Sequence, residues 1–374
     1  MKNIIFCADG TWNGMDVDDD KDGVPDATNV LKLFHLLKGD TSIDSRRLKD
    51  ESEKSLVEAG VTRQVAKYLH GVGDSSNPLL KLLGGAFGAG TITRIVRGYT
   101  FISRNWEPGD DIFIIGFSRG AYTARALAGL IASVGLLDPK KNDLHDKDLA
   151  YSLGVAAWRQ YREKAGAKQT QRSIKDLFAS FIANLPGYAR IPLPPESLVK
   201  ARIKAVAVWD TVGALGIPTQ NAEGSAIDVF RFADDILSDD VDHGIHAVSV
   251  DERRSSFQPT LWQTRKGMKQ YLFPGAHADV GGGYPEQESE LSNIALQWMI
   301  EEVRALDVLI KPFPNEWKIR EDAEIHKPWT QGIFAALGNE ERTWKKIYAL
   351  EKHSSIDIRR QRRKEPPFTI VWHT

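Results

Sequence analysis

Short apolar runs cut off by glycine and polar residues dominate the pattern along this chain: Ile4-Ile5-Phe6-Cys7-Ala8, Asp111-Ile112-Phe113-Ile114-Ile115, Ile203-Lys204-Ala205-Val206-Ala207-Val208-Trp209 and Gln270-Tyr271-Leu272-Phe273. Continuous runs of this length read as buried strands, and each ends in a turn signal. The turns are Asp9-Gly10-Thr11-Trp12-Asn13, Gly116-Phe117-Ser118-Arg119-Gly120, Asp210-Thr211-Val212-Gly213 and the glycine-rich stretch from Pro274 to Tyr284. Helical spacing fills the intervals. Thr28 to Leu37 has a polar cap and an apolar stripe, Gly84 to Ser103 opens on a glycine run, Ala121 to Leu130 is built of small residues, and Leu291 to Arg304 is amphipathic. Val61 to Gly71 reads as a strand or short helix, and the charged residues 40–60 as a surface segment. Residues 140–200 carry Trp158, Tyr161, Leu177, Phe178 and Phe181 at helical spacing, which predicts an inserted helical cap whose aromatics line a substrate cavity or pack onto the core. The alternation of strand and helix predicts one α/β domain over residues 1–374, with a mostly parallel sheet flanked by helices.

Composition narrows the function without choosing it. With 49 basic and 50 acidic side chains the net charge is -1, so no global field draws the chain to nucleic acid. The single cysteine, Cys7, sits inside an apolar run and has no partner for an internal disulfide, which suits a reducing compartment. The apolar run after Met1 is too short for a secretory signal, so the expected location is the cytoplasm, or outside the cell by a route that uses no cleaved signal.

The chemistry concentrates at the strand ends. Ser118 stands in Gly-Phe-Ser-Arg-Gly between a buried strand and a small-residue helix, the context of a nucleophile elbow. There a cramped backbone exposes the hydroxyl to a histidine that activates it. Asp210 and His277 end two further strands, and the order Ser118, Asp210, His277 is that of α/β-hydrolases. In that reading His277 takes and returns the serine proton while Asp210 fixes its tautomer, with Asp251 and Asp279 as rival acids. The oxyanion donors would be the backbone N–H of Arg119 and one from Gly10 or Thr11. His246 is a candidate support for the site. The glycine run at 84–90 lacks the Gly-Lys-Ser/Thr ending of a phosphate loop.

Two further segments stand out. In the acidic loop, Asp18, Asp20 and Asp22 alternate, Gly23 takes the sixth position and Asp26 the ninth, the ligand spacing of a calcium loop; the twelfth position is Asn29 in place of the bidentate glutamate. The loop is therefore read either as a Ca²⁺ site or as a solvated acidic segment, and the hydrolytic chemistry itself requires no cofactor. The cluster Arg359-Arg360-Gln361-Arg362-Arg363-Lys364 is a solvated face or a contact for phospholipid headgroups.

Together these segments resemble the domain of unknown function 2235 family of α/β-hydrolase-like proteins. The resemblance rests on Asp9 to Asn13, Thr28-Asn29-Val30, Gly71-Val72-Gly73, Gly84 to Gly88, Gly116 to Ala121, Val208 to Val212, His246-Ala247, Asp251-Glu252-Arg253 and Pro274 to Tyr284. That family includes type VI secretion phospholipase effectors. The resemblance implies a lipid or small-ester substrate, cleaved by Ser118, Asp210 and His277 through an acyl-enzyme; the basic cluster adds an expected peripheral membrane contact, and the net charge of -1 an expectation of no nucleic-acid partner. A non-catalytic relative that binds a lipid or a protein in the same cleft is the contrasting expectation, and amide hydrolysis differs only in its leaving group.

Overall fold

The structure, a computed structural model, describes residues 1–10, 26–43, 51–71, 86–166, 192–213, 219–220, 226–227, 235–332, 335, 339–348 and 350–373. Leu177, Phe178 and Phe181 of the expected cap lie outside these residues.

Nine strands form the main sheet among the described residues: β1 (Asn3–Ala8), β2 (Asp40–Thr41), β3 (Glu51–Glu58), β4 (Val61–Leu69), β5 (Asp111–Phe117), β6 (Ile203–Trp209), β7 (Val241–Ser249), β8 (Met268–Phe273) and β9 (Glu351–Lys352). Their order is β9-β8-β7-β6-β5-β1-β4-β3-β2. Every pairing from β9 through β4 is parallel, and β3 and β2 add an antiparallel margin. The expected mostly parallel α/β sheet is therefore present. Because β1 has β4 on one side and β5 on the other, the order reverses beside β1, and the crevice at the carboxyl ends of β1 and β5 is where such sheets take ligands.

The period of two along each strand divides the core between the sheet's faces. Ile4, Phe6, Ile112, Ile114, Val206 and Val208 face one layer with α2 (Ala86–Asn105), α3 (Arg119–Val134) and α4 (Lys147–Gly166). Ile5, Cys7, Phe113, Ile115, Ala207 and Trp209 face the other, with α1 (Asn29–Leu36) and α6 (Glu290–Arg304). Both faces are covered, which is why the central strands read as continuous apolar runs. Trp158 and Tyr161 of α4 belong to the first layer, where they pack against the core.

One segment differs from the sequence-based expectation, and one strand stands where the sequence carries no strand signal. The charged stretch 40–60 contains β3, whose outward acids are matched across the sheet: Lys67 Nζ lies 2.7 Å from Glu51 and 2.9 Å from Glu53. Its inward Lys54 donates to the carbonyls of Phe34 and His35 at 2.9 Å each, capping the C-terminus of α1 where a cation is favoured. The stretch Val241–Ser249 is a central strand although it contains Asp242, His243 and Gly244; its polar head leaves the core while Ile245, Ala247 and Val248 enter it.

Phe113 is fully buried in the central β5, whereas Val57 on β3 is 56% exposed. The expected outcome is that Phe113→Ala lowers the unfolding free energy by about 3–5 kcal/mol, while Val57→Ala changes it by no more than about 0.5 kcal/mol. Urea denaturation of both variants measures the contrast.

Candidate active site

At the end of β5 the chain must turn from strand to helix within one residue. Ser118 does so at φ 57°, ψ -124°, a conformation that L-residues rarely adopt, and it stands immediately before α3. The turn is possible only because its flanks lack side chains. A Cβ on Gly120 would stand 2.1 Å from the Ala8 carbonyl oxygen, and one on Gly116 would stand 2.5 Å from the Gly120 carbonyl oxygen. The elbow is thus wedged against the exit of β1. Its backbone is held by Ser118 N–H to the Trp209 carbonyl at 3.1 Å and by Tyr122 N–H to the Ser118 carbonyl at 3.2 Å.

The pairing Phe117↔Trp209 brings the next residue of β6, Asp210, to the same edge. Asp210 also has positive φ, 33°, and is fully buried. Its Oδ2 meets His277 Nδ1 at 2.5 Å, and its Oδ1 accepts from the Ser249 N–H at 2.9 Å. Arg342 then closes on the carboxylate with both guanidinium nitrogens, Nη1 to Oδ1 at 2.6 Å and Nη2 to Oδ2 at 2.9 Å. Burial pushes the Asp210 carboxyl up, but the Arg342 charge and the hydrogen bonds from His277 and Arg342 overcome it, so it sits well below the usual carboxylate range.

His277 begins α5 (His277–Gly281), a single turn after β8. Its imidazole contacts Phe117, with ring centroids 4.6 Å apart, and meets Phe257 edge-on at 5.0 Å. Burial pushes its pKa down more than the bond and charge of Asp210 raise it, leaving a neutral ring. With the ionised Asp210 accepting from Nδ1–H, Nε2 carries the lone pair. That buried nitrogen has no hydrogen-bond partner among the described residues, and Ser118 is not hydrogen-bonded to it.

The rival acids have other employment. Asp251 Oδ2 accepts from Gly275 N–H at 2.7 Å, and Asp279 Oδ2 accepts from Ala276 N–H at 2.8 Å, so both brace the His277 loop. His326 adds a clamp, with Nδ1 2.6 Å from Asp279 Oδ1 and Nε2 2.9 Å from Glu288 Oε2. Glu252 accepts from the His277 backbone N–H at 3.1 Å and is itself paired with Arg254 at 2.7 Å. His246, pushed down to about 3 by burial, accepts from Thr211 N–H at 3.1 Å and so supports the turn that carries Asp210.

At the mouth of β1, Asp9 is a buried hub. It accepts from Tyr68 Oη at 2.6 Å, Thr28 Oγ1 at 2.7 Å and Gly10 N–H at 2.7 Å. The Gly10 amide named above as an oxyanion donor is therefore engaged with Asp9 in this state, and Thr11 lies outside the described residues. Arg119 opens α3; burial, aided by the Arg94 charge, lowers its side-chain pKa to about 9. Thr28 caps α1 and bridges to Gly282, while Asn29 donates to the Val280 carbonyl at 2.8 Å and the Ser292 carbonyl at 2.9 Å. These contacts tie the β1 exit to the His277 loop.

Asp18, Asp20 and Asp22 lie outside the described residues, and Asp26 is buried. Among the described residues no cluster of three or more His, Cys, Asp or Glu side chains is placed to hold a metal, and no helix is long and apolar enough to cross a membrane. The arginines of α7 (Ser354–Arg363) are largely paired: Arg362 with Glu321 and Arg363 with Glu324, both at 2.5 Å, while the buried Arg359 donates to the carbonyls of Glu321 and Ala323.

Sequence reasoning missed Arg342. It stands in a charged, aperiodic stretch, Asn339-Glu340-Glu341-Arg342, with no spacing signal to separate it from surface arginines.

Comparison with known proteins supplies a family. A family model described as "T6SS, phospholipase effector Tle1-like, catalytic domain" matches residues 2–302. The uncharacterized protein YEL023C of Saccharomyces cerevisiae is 27% identical over 271 residues, which are 69% of this chain and 32% of that protein. The chain thus spans about a third of that relative's length. A solved structure described as the Tle1 effector bound to the VgrG spike from the type 6 secretion system aligns over 86% of this chain and 77% of its own, at 13% identity and a TM-score of 0.45.

Burial raises the Asp9 carboxyl from 3.8 to about 6, more than its three donors lower it. A folded-state value above the unfolded one gives stability that is full below about pH 4 and is lost as pH rises through 6. Asp9→Asn removes that dependence. Its unfolding free energy relative to wild type is expected to rise between pH 4 and pH 7 by on the order of 3 kcal/mol, as read from urea unfolding at both pH values; a pH-independent difference counts against a buried, reluctantly ionised Asp9.

Proposed function

Since the chain belongs to the family of Tle1-like phospholipase effector catalytic domains, we propose that it is a serine hydrolase of carboxylic esters, acting on phospholipid or another acyl lipid through Ser118, His277 and Asp210. The observation that carries this reading is the 2.5 Å bond from His277 Nδ1 to the ionised Asp210, which leaves a buried, unpartnered Nε2 on a ring packed against Phe117, the residue that precedes the strained Ser118. A base must be neutral to accept a proton, and burial keeps this imidazole so.

In the proposed reaction the Ser118 Oγ–H proton passes to His277 Nε2 as Oγ bonds to the acyl carbon, and the carbonyl π electrons move onto oxygen. Asp210 offsets the imidazolium charge that develops. The oxyanion lies at the N-terminus of α3, where the Arg119 amide supplies a donor and the helix dipole favours negative charge. The second donor is the Gly10 amide, once it leaves Asp9, or the Thr11 amide, which lies outside the described residues. Collapse breaks the bond to the leaving alcohol, which takes the proton from Nε2. Water repeats the sequence on the acyl-enzyme, releasing the acid and restoring Ser118.

The apolar surroundings of the imidazole, Phe117 and Phe257, exclude water and suit an acyl chain better than a polar group. Calcium in the Asp18–Asp26 segment remains a separate proposal, with no step of this chemistry routed through it.

A fluorophosphonate probe is expected to label wild-type protein at Ser118 and not Ser118→Ala, and a mixed lipid panel read by mass spectrometry should yield free fatty acid from the wild type only. Ser118→Ala is expected to lower kcat by about 10⁴-fold or more with its thermal unfolding retained. Folded wild-type protein that neither labels nor releases fatty acid overturns the proposal.

A further inference from the structure

We propose that Arg342 is a positioning residue of the reaction: it fixes the Asp210 carboxylate in the plane that His277 needs and meters the negative charge that Asp210 offers to the imidazole. This inference rests on the serine-hydrolase reading of the site. It also places the segment beyond residue 302, outside the family-matched region, inside the catalytic unit.

The geometry is that of a clamp. The Arg342 and Asp210 side chains are 1% and 0% exposed, and the guanidinium lies against both carboxylate oxygens. Two backbone carbonyls fix the arginine in turn, Ser249 at 2.7 Å from Nη1 and Phe257 at 2.6 Å from Nη2. Phe257 is the residue whose ring abuts His277, so one arginine sets both the acid and a wall of the imidazole pocket. The planar fork makes this possible; a lysine ammonium is a point charge and cannot hold a carboxylate plane.

A neutral donor would orient Asp210 equally well, and the choice of a full positive charge has a chemical consequence. A fully buried carboxylate is otherwise driven toward its protonated form. Arg342 keeps it ionised, but it also draws on the same negative charge that stabilises the His277 imidazolium. Among the described residues, the other charged groups facing the imidazole are Glu252, bonded to the His277 backbone, and Arg254, paired with Glu252; Asp279 on the same helix is taken by Ala276 and His326. Burial and Arg254 lower the proton affinity of His277 while Asp210 and, more weakly, Glu252 raise it; Arg342 acts on that affinity through the Asp210 carboxylate to which both it and His277 are bonded.

The test compares full-length Arg342→Gln and Arg342→Lys with wild type, using kcat/KM for a fluorogenic ester against pH and an NMR titration of the His277 ring. Arg342→Gln removes the charge, so the acidic limb of the profile and the His277 titration should both move up by about one pH unit. Arg342→Lys keeps the charge and loses the fork, so the limb stays in place while kcat falls by about tenfold or more. A limb that stays put in Arg342→Gln overturns the proposal, whatever the activity. If that variant does not fold, Arg342→Lys decides alone: undiminished kcat, or a fall accompanied by a shifted limb, overturns it. Absence of Ser118-dependent turnover in wild type sinks the hydrolase reading instead, and the NMR titration, which needs no turnover, still decides whether Arg342 governs the His277 proton.

Discussion

A carboxylate with no access to water, held between a guanidinium and an imidazole, is the constraint on which this molecule turns. Asp210 can stay ionised at full burial only if a cation meets it and its remaining lone pairs are satisfied. Arg342, the Ser249 amide and His277 do both. Each comes from a different part of the chain: the C-terminal segment, the end of β7 and the loop after β8. Folding the site correctly and neutralising the buried charge are consequently one event.

The sheet decides where that event takes place. Parallel strands deliver every C-terminus to the same edge, so Asp9, Ser118, Asp210 and the loop bearing His277 emerge together although they are far apart in sequence. Reversal of strand order beside β1 opens the crevice there. The His277 loop would otherwise be a free turn; Asp251, Glu252 and Asp279 convert its amides into anchored donors, and Thr28 and Asn29 link it to the opposite lip. The strain at Ser118 and Asp210 is sustained by this surrounding lattice of bonds.

Much of this was legible in the sequence because the central strands are apolar on both faces and end in glycine-marked turns. β1, β5, β6 and β8 announced themselves in that way. β3 and β7 did not. β3 alternates charges that are neutralised by Lys67 and Arg97 on neighbouring elements, a pattern that is indistinguishable from a solvated surface until the partners are known. β7 starts with polar residues and a glycine, which mimic a turn. The serine elbow was readable because its glycines are a local steric demand. Arg342 and the hydrogen bonds of Asp9 were not, since both depend on which distant segment packs against them, and an isolated arginine carries no period.

Both rims of the main sheet have a consequence for the protein in concentrated solution. Among the described residues β2 and β9 are each only two residues long, so the outermost ladders end almost as soon as they begin. A neighbouring chain that tried to extend the sheet from β2 or β9 would find only two residues of strand to pair with. Growth by edge-to-edge pairing at those two strands is thereby limited to a short ladder.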